Sequence, residues 1–178
     1  MIRLILLRHG ETDWNKDARL QGTQPTALNE TGIAQVQSAC VALERQFGGS
    51  MAAIVTSPLL RAIQSAEICK EHFCMPFVVL EDLRERSFGA LEGKCKADIR
   101  RDFAIDDVEQ IMTNAFGIEP QSDVLLRLQR AMDVLRRRFA GQTVLAITHG
   151  SVIRLAGNLY NVGGGIIPNG SYIELVVE

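Results

Sequence analysis

Two of the three histidines, His9 and His149, are each followed directly by glycine. Arg8 stands immediately before the first of them, and Arg61 lies three residues after a Ser-Pro pair. The planar guanidinium of arginine suits phosphate oxygens, and a glycine after a histidine lets backbone N–H groups approach the same anion. Because cations are costly to gather unless an anion neutralises them, these residue types predict a phosphate site.

Phosphoryl transfer through a protein nucleophile is the chemistry that such a site could perform. The sequence carries no Walker motif, no glycine-rich dinucleotide loop and no acidic cluster of the kind that holds magnesium. A neutral histidine nitrogen can attack phosphorus while arginines stabilise the oxygens of the transferred group. Glu85 is the candidate general acid, because an acid beside a phosphate has a raised pKa and keeps its proton.

The elements that must position these residues are strands that alternate with helices. Apolar runs predict strands at 2–7, 52–56, 77–80, 143–148 and 172–177. Helical spacing and caps predict helices at 29–47, 57–72, 121–139 and 152–159. This alternation predicts one α/β domain over 1–178, a three-layer α/β/α sandwich with a mostly parallel sheet and a short cap at about 88–120.

Ligands of open parallel sheets bind beyond the carboxyl ends of the strands. We therefore expect the residues that follow the first four predicted strands to converge on one rim: Arg8, His9, Arg61, Glu85, Arg86 and His149. An arginine-rich stretch of the helix at 121–139 is expected to be a solvated face, because acids are interspersed in it. The glycine-rich stretch at 162–165 is expected to be a plain connection, with a lid as the alternative.

Composition limits the partners. The formal net charge is −2 and the pI is about 6.0, which does not favour nucleic acid or an anionic membrane. The four cysteines form no CxxC pair and no leader or membrane-spanning run is evident, so reduced thiols and a cytoplasmic location are expected. Zinc at Cys69, His72 and Cys74 is the alternative to helix-end packing, but a fourth ligand is missing. We expect a monomer or homodimer.

The chain resembles the histidine phosphatase superfamily, which includes cofactor-dependent phosphoglycerate mutases and alpha-ribazole phosphatases. The resemblance runs from Leu6 to Asn169 through six blocks in the family's order. These are LRHGET at 7–12, WNKDARLQG at 14–22, LNETG at 28–32, TSPLLRA at 56–62, ERSFGALEG at 85–93 and THG at 148–150.

The resemblance implies a role for each matched residue. His9 corresponds to the histidine that becomes phosphorylated, Glu85 to the proton donor that later activates water, and Arg8, Arg61 and His149 to the phosphate pocket. Further matched positions line the substrate phosphate: Asn15, Gln21, Gly22 and Gly150. Members of the family work without a metal, and we expect no cofactor.

The fate of the phosphohistidine separates three hypotheses. Arg86 and Lys96 match substrate-binding positions of the mutases, but the segment between Gly93 and Gln121 is short and mostly acidic, which disfavours a bound bisphosphate. A phosphatase acting on a small phosphorylated metabolite (a sugar phosphate, phosphoglycerate or alpha-ribazole phosphate) is therefore favoured over a mutase. A non-catalytic phospholigand-binding module is the third hypothesis, although such a module would normally have lost the nucleophile or the acid.

Overall fold

A computed structural model describes residues 1–111, 114–163, 165 and 167–178 of the chain. Its centre is a five-stranded sheet whose strands are β1 Ile2–Arg8, β2 Met51–Thr56, β3 Phe77–Val79, β4 Thr143–Thr148 and β5 Tyr172–Val177. The strand order is β3-β2-β4-β1-β5. Strands β1 to β4 run parallel, and β5 runs antiparallel to β1. The predicted mostly parallel sheet is confirmed.

The helices are α1 Asp13–Lys16, α2 Glu30–Phe47, α3 Leu60–Phe73, α4 Lys96–Phe103, α5 Gln121–Arg138 and α6 Gly150–Leu159. Each helix predicted from the sequence is present. The predicted start of α3 at Ser57–Pro58 is wrong, because the cap residue is Leu59 in an extended conformation. Ser57 Oγ instead accepts a bond from the Leu59 amide at 3.2 Å.

The helices lie in layers on both faces of the sheet because successive side chains of a strand point to opposite faces. Leu4 and Leu6 of β1 pack in one cluster with residues of α5 and α6. Ile5 and Leu7 pack in a second cluster with residues of α2 and α3. Burial of each such side chain stabilises the fold by about 1.5–3 kcal/mol. The result is the predicted α/β/α sandwich.

The loop that follows β1 is pressed onto the start of α2. A Cβ on Gly10 would lie 2.2 Å from the Gly32 carbonyl oxygen, and a Cβ on Gly32 would lie 2.1 Å from the Glu11 carbonyl oxygen. Asn29 caps α2 through its Oδ1, which accepts from the Gly32 amide at 2.8 Å. Only glycine at both positions allows this approach, which fixes the backbone directly after His9.

The predicted cap, at about 88–120, contains α4 and several short 3-10 helices, and its residues 112 and 113 lie outside the described residues. Apolar side chains of the cap pack together with Leu20, which lies outside it, in a separate cluster: Phe88, Leu91, Ile99, Val108 and Ile118. Gly164, in the glycine-rich stretch, is also outside the described residues. Within the described ranges, no helix combines the length and apolar content needed to cross a bilayer.

The arginines of α5 do not all behave as predicted. Arg127 is only 1% exposed, and its Nε and Nη2 donate to the two carboxylate oxygens of Glu119 at 2.9 and 3.1 Å. Its Nη1 donates to the carbonyl oxygens of Asp82 and Arg84. Arg127 thus clamps the segment after β3 to α5, while the remaining predicted members of the solvated face are exposed: Arg130, Arg136, Arg137 and Arg138.

Candidate active site

A cavity of about 340 Å³ opens beyond the carboxyl ends of β1 and β4. It is lined by the sequence-predicted site residues other than His149 and Arg86: Arg8, His9, Asn15, Gln21, Gly22, Arg61, Glu85, Lys96 and Gly150. Residues that are distant in the sequence therefore meet at the ends of the strands, as the strand-end rule predicts.

His9 is 2% exposed and is fixed by bonds at both ring nitrogens. Its Nδ1 lies 2.7 Å from the Gly10 carbonyl oxygen, and its Nε2 lies 3.1 Å from Nε of Arg61. A carbonyl can only accept and a guanidinium can only donate, so the proton belongs on Nδ1 and the lone pair on Nε2. Burial, followed by the charges of Arg61 and Arg8, lowers the pKa of His9 well below 6.5. The ring is thus neutral, with Nε2 available as a nucleophile.

Arg61 is held by the loop at residues 21–26. Its Nη2 donates to the Gly22 carbonyl at 2.8 Å, and its Nη1 donates to the Gln24 carbonyl at 3.0 Å. Gly22 has a φ of +51°, a conformation that favours glycine. Gln21 stabilises the same loop by accepting at Oε1 from the hydroxyls of Thr12 and Thr26. Burial lowers the pKa of Arg61 to about 10, so the guanidinium remains charged at neutral pH.

His149 lies behind the cavity wall, and its ring centroid is 5.1 Å from that of His9. Nε2 of His149 lies 2.6 Å from Oγ of Ser57, a residue whose role was not predicted. Burial, then the charge of Arg61, lowers the pKa of His149 well below 6.5. Among the described residues, the buried side-chain atoms that lack a hydrogen-bond partner are Nδ1 of His149 and Nε of Arg8. Both belong to the predicted phosphate pocket.

Glu85 is 8% exposed and lies at the side of the cavity formed after β3. Its Oε1 accepts from the Arg86 amide at 2.9 Å, and its Oε2 receives a long contact from the Ser151 amide at 3.5 Å. Burial and then the neighbouring charge of Glu109 raise the pKa of Glu85, and Arg61 opposes this rise. The site therefore pairs a neutral imidazole with a carboxyl group that tends to keep its proton.

Asn15 and Asn169 hold the backbone that carries the nucleophile. Asn169 Nδ2 donates to the His9 carbonyl at 3.0 Å and to Asn15 Oδ1 at 3.2 Å. Asn15 Oδ1 also accepts from the Thr12 amide at 3.2 Å, which completes the N-terminal cap of α1. The sequence reasoning did not predict this role of Asn169.

The model of the histidine phosphatase superfamily (branch 1) matches residues 4–162 of the chain. The protein belongs to this family. The family membership predicted from the sequence blocks is confirmed, and so is the phosphoglycerate mutase-like fold.

Curated relatives span a range of lengths. A Mycobacterium tuberculosis protein described as bifunctional is 35% identical over 169 residues, 93% of this chain and 46% of that protein. The chain thus spans about half the length of these mycobacterial relatives. The Bacillus subtilis phosphatase PhoE, described as uncharacterized, is 32% identical over 165 residues, 93% of this chain and 79% of PhoE. An Arabidopsis thaliana metal-independent phosphoserine phosphatase is 30% identical over 159 residues, which are 85% of this chain and 65% of that protein.

A solved structure of a histidine phosphatase superposes on nearly the whole chain. It is a mycobacterial glucosyl-3-phosphoglycerate phosphatase in complex with VO3. The TM-score is 0.86 at 28% identity, and the match covers 98% of this chain and 92% of that one. The shared fold extends over the strands and helices that position the cavity.

Arg86 does not line the cavity, so it does not have the substrate-binding place predicted for it. Its guanidinium is fully buried and donates to the carbonyl oxygens of Glu119 at 2.8 Å and Glu109 at 3.0 Å, and also to that of Ile111. These carbonyls come from the cap, so Arg86 fastens the cap to the segment after β3. Lys96 does line the cavity, as the exposed first residue of α4.

The cavity residues that the sequence reasoning missed include Glu109, Ser151 and Arg154. Ser151 and Arg154 lie in α6 together with Gly150, and the four-residue spacing of Gly150 and Arg154 places both on one helix face. That spacing was a usable signal. Glu109 gave none, because it lies in an irregular acidic segment whose path depends on the fold of the cap. Among the described residues, no group of three or more His, Cys, Asp or Glu is arranged to hold a metal.

Proposed function

We propose that this protein is a metal-independent phosphomonoesterase that hydrolyses a small phosphorylated metabolite through a phosphohistidine at His9. The observation that carries the proposal is the state of the His9 ring, which is neutral and has its lone pair on Nε2 in a cavity shared with two arginines and Glu85. The relatives named as phosphatases support the same class of reaction.

In the first step, the Arg61 Nε–H turns from His9 Nε2 to a phosphate oxygen, and the freed nitrogen attacks the phosphorus atom of the substrate. The N–P bond forms as the bond between phosphorus and the leaving oxygen breaks, and Arg8 and Arg61 stabilise the oxygens of the transferred group. Glu85 gives its proton to the leaving oxygen, so the organic product departs as a neutral alcohol. The raised pKa of Glu85 favours the protonated form that this step requires.

In the second step, water attacks the phosphohistidine. Glu85, now a carboxylate, takes a proton from the water as its oxygen bonds to phosphorus. The N–P bond breaks and its electron pair returns to His9 Nε2. Inorganic phosphate is released, and the neutral imidazole and the protonated Glu85 are restored.

The cavity favours a small polar substrate. Its volume of about 340 Å³ is near the lower end for ligand sites. Lys96 and Arg154 line it together with Asp107 and the apolar side chains of Ile99 and Val108. The substrate class that we propose is a sugar phosphate, a phosphoglycerate or an alpha-ribazole phosphate, and the names of two relatives, a phosphoserine phosphatase and a glucosyl-3-phosphoglycerate phosphatase, support a small polar substrate.

Hydrolysis is favoured over mutase chemistry because the described part of the cap supplies few free cations. Arg86 is buried against backbone carbonyls, and Arg154 is paired with Glu109 at 2.7 Å. Arg100 pairs with Asp106 at 2.8 Å. A bisphosphate would therefore meet an acidic cap.

The presence of both His9 and Glu85 argues against a non-catalytic binding module. The monomeric or homodimeric state and the cytoplasmic location stay predictions.

The proposal is tested with p-nitrophenyl phosphate in the presence of EDTA, followed by a panel of phosphomonoesters that includes 3-phosphoglycerate with 2,3-bisphosphoglycerate. We expect phosphate release by the wild type, none by His9→Ala, and unchanged release by His72→Ala, which alters a histidine remote from the cavity. Labelled substrate should leave an acid-labile phosphoenzyme in the wild type only. Phosphoglycerate interconversion faster than phosphate release would establish the mutase instead, and no release from any ester would refute hydrolysis.

A further inference from the structure

Glu109 is a second carboxylate in the cavity, and the catalytic steps above do not use it. It lies in the short 3-10 helix Val108–Gln110 of the cap, and its side chain is 21% exposed. Its Oε1 accepts from Ser151 Oγ at 2.5 Å, and its Oε2 accepts from Arg154 Nη2 at 2.7 Å. Both partners belong to α6, so Glu109 joins the cap to the helix that begins at the cavity.

Two of the residues that contact the Glu109 carboxylate, Arg86 and Ser151, also contact Glu85. The Arg86 amide donates to Glu85 at 2.9 Å, and the Arg86 guanidinium lies 3.5 Å from the Glu109 carboxylate. The Ser151 amide faces Glu85 at 3.5 Å, and the Ser151 hydroxyl donates to Glu109. The two carboxylates are therefore bridged twice, once through each of these residues.

This arrangement makes an ionised Glu85 unfavourable. Glu109 accepts a bond from the charged Arg154, and after burial its charge is the next cause that raises the pKa of Glu85. The cations that face Glu85 from the other elements are Arg61 of α3 and Arg8 at the end of β1. Both arginines favour the ionised form of Glu85, whereas the Glu109 carboxylate of the cap disfavours it.

We infer that Glu109 is a positioning residue of the cap that keeps Glu85 protonated and oriented toward the leaving oxygen. The inference rests on the proposed hydrolysis, since it concerns the acid of that reaction. It goes further because it gives the cap a chemical role. The contact of the cap with α6 places the charge of Glu109 near Glu85, the proposed general acid. A cap that only enclosed the substrate would not need a carboxylate held by Ser151.

The test compares Glu109→Gln with Glu109→Asp and with Asp102→Asn, which removes an exposed acid elsewhere in the cap. The midpoint of Glu85 is followed by ¹³C NMR of labelled glutamate carboxyls, assigned by the loss of its signal in Glu85→Gln. In Glu109→Gln we expect this midpoint to fall by about one pH unit, since a neighbouring like charge is removed. Glu109→Asp should recover most of the shift, and Asp102→Asn should show none.

Kinetics give the second readout. The alkaline limb of kcat/KM for glycerol phosphate should move to lower pH in Glu109→Gln by the same interval, because deprotonation of Glu85 removes the proton donor. Hydrolysis of p-nitrophenyl phosphate should change less, since its leaving group departs without a proton. An unchanged Glu85 midpoint in Glu109→Gln would overturn the inference. If the Glu85 midpoint shifts in Glu109→Gln but the wild type releases no phosphate, the coupling of the two carboxylates is upheld and the proposed function is refuted.

Discussion

Arg61 Nε donates to His9 Nε2 at 3.1 Å, so a fixed cation lies against the nitrogen that we propose as the nucleophile. This contact disfavours protonation of Nε2 and directs its lone pair without a carboxylate partner. The other Arg61 nitrogens are bound to the carbonyls of Gly22 and Gln24, so only the Nε–H bond to His9 has to be released when the oxygens of a phosphate arrive.

Replacement of Arg61 by lysine should impair catalysis strongly even though the charge is kept. A lysine ammonium cannot serve His9 and two carbonyls in the fixed geometry of a guanidinium. We expect kcat/KM for p-nitrophenyl phosphate to fall by about 10²–10³. Arg45→Lys, at an exposed position of α2, is the control and should retain full activity. Retention of more than about a tenth of wild-type kcat/KM by Arg61→Lys would contradict this role.

The buried histidines should make the protein less stable on acidification. The pKa of His9 and of His149 is lowered well below 6.5 in the folded protein. Below pH 6.5 the unfolded chain therefore binds protons that the folded chain does not, and the free energy of unfolding falls by up to about 1.4 kcal/mol per pH unit for each histidine. This loss continues until the pH reaches the lowered pKa of the folded state.

Urea denaturation at pH 6.5 and 5.5 measures this effect. The raised pKa of Glu85 has the opposite effect above pH 4.5, where it makes the folded protein more stable as the pH falls. The change in unfolding free energy of each variant is therefore compared with the change in the wild type. His149→Asn should lose less stability between the two pH values than the wild type does. His72→Asn, at a site remote from the cavity, should follow the wild type. Equal losses for all three proteins would show that His149 is not held neutral by the fold.

The two arginines of α5 near Asp82 should differ in their contribution to stability. Arg127→Leu removes the bidentate partner of Glu119, which keeps Arg84 at 3.0 Å, and also removes the donor to the carbonyls of Asp82 and Arg84, so it should cost about 2–3 kcal/mol of the free energy of unfolding. Arg130→Leu breaks an exposed pair with Asp82 and should cost less than about 1 kcal/mol. Chemical denaturation of both variants at neutral pH distinguishes the sites. Similar costs would mean that the Arg127 clamp is not important for stability.

Gly10→Ala should damage both stability and activity. The added Cβ would meet the Gly32 carbonyl oxygen at 2.2 Å, so the loop after β1 must move and carry His9 with it. We expect a loss of about 1–3 kcal/mol in unfolding free energy, as for overpacked sites, together with a lower kcat. Gly49→Ala, where a Cβ would meet nothing within 4 Å, is the matched control. Normal kcat in Gly10→Ala would show that the two-glycine contact does not position the histidine.

The sequence predicted the parts of the site that depend on strand ends. Arg8 ends β1, His9 follows it directly, and Glu85 lies in the segment after β3, so all three line the cavity, and a strand's end can be read from its apolar run. Gly22 and Gln21 were found through the resemblance to the family, since a loop between short helices gives no periodic signal. The parallel order of the sheet followed from the alternation of strands and helices.

What could not be predicted depends on where the cap folds. Arg86 is adjacent to Glu85, and nothing local shows that its guanidinium turns to carbonyls of the cap instead of the cavity. Arg127 shares a helix face with the buried Val124 and Ala131, and nothing local shows that Glu119, which precedes the helix, becomes its partner. Glu109 reaches the cavity through tertiary contacts with α6. Side-chain partners across irregular segments follow from packing, which periodicity does not encode.

The pairing of β1 has a consequence for synthesis on the ribosome. β1 leaves the ribosome before the other strands, but its neighbours are β4 and β5, and the His9 carbonyl is held by Asn169. This strand must therefore wait, without its partners, until almost all of the domain has been translated. Such long-range pairing slows folding. The nascent chain should consequently acquire its nucleophile early and its catalytic competence late, so that a stalled ribosome would hold an inactive intermediate.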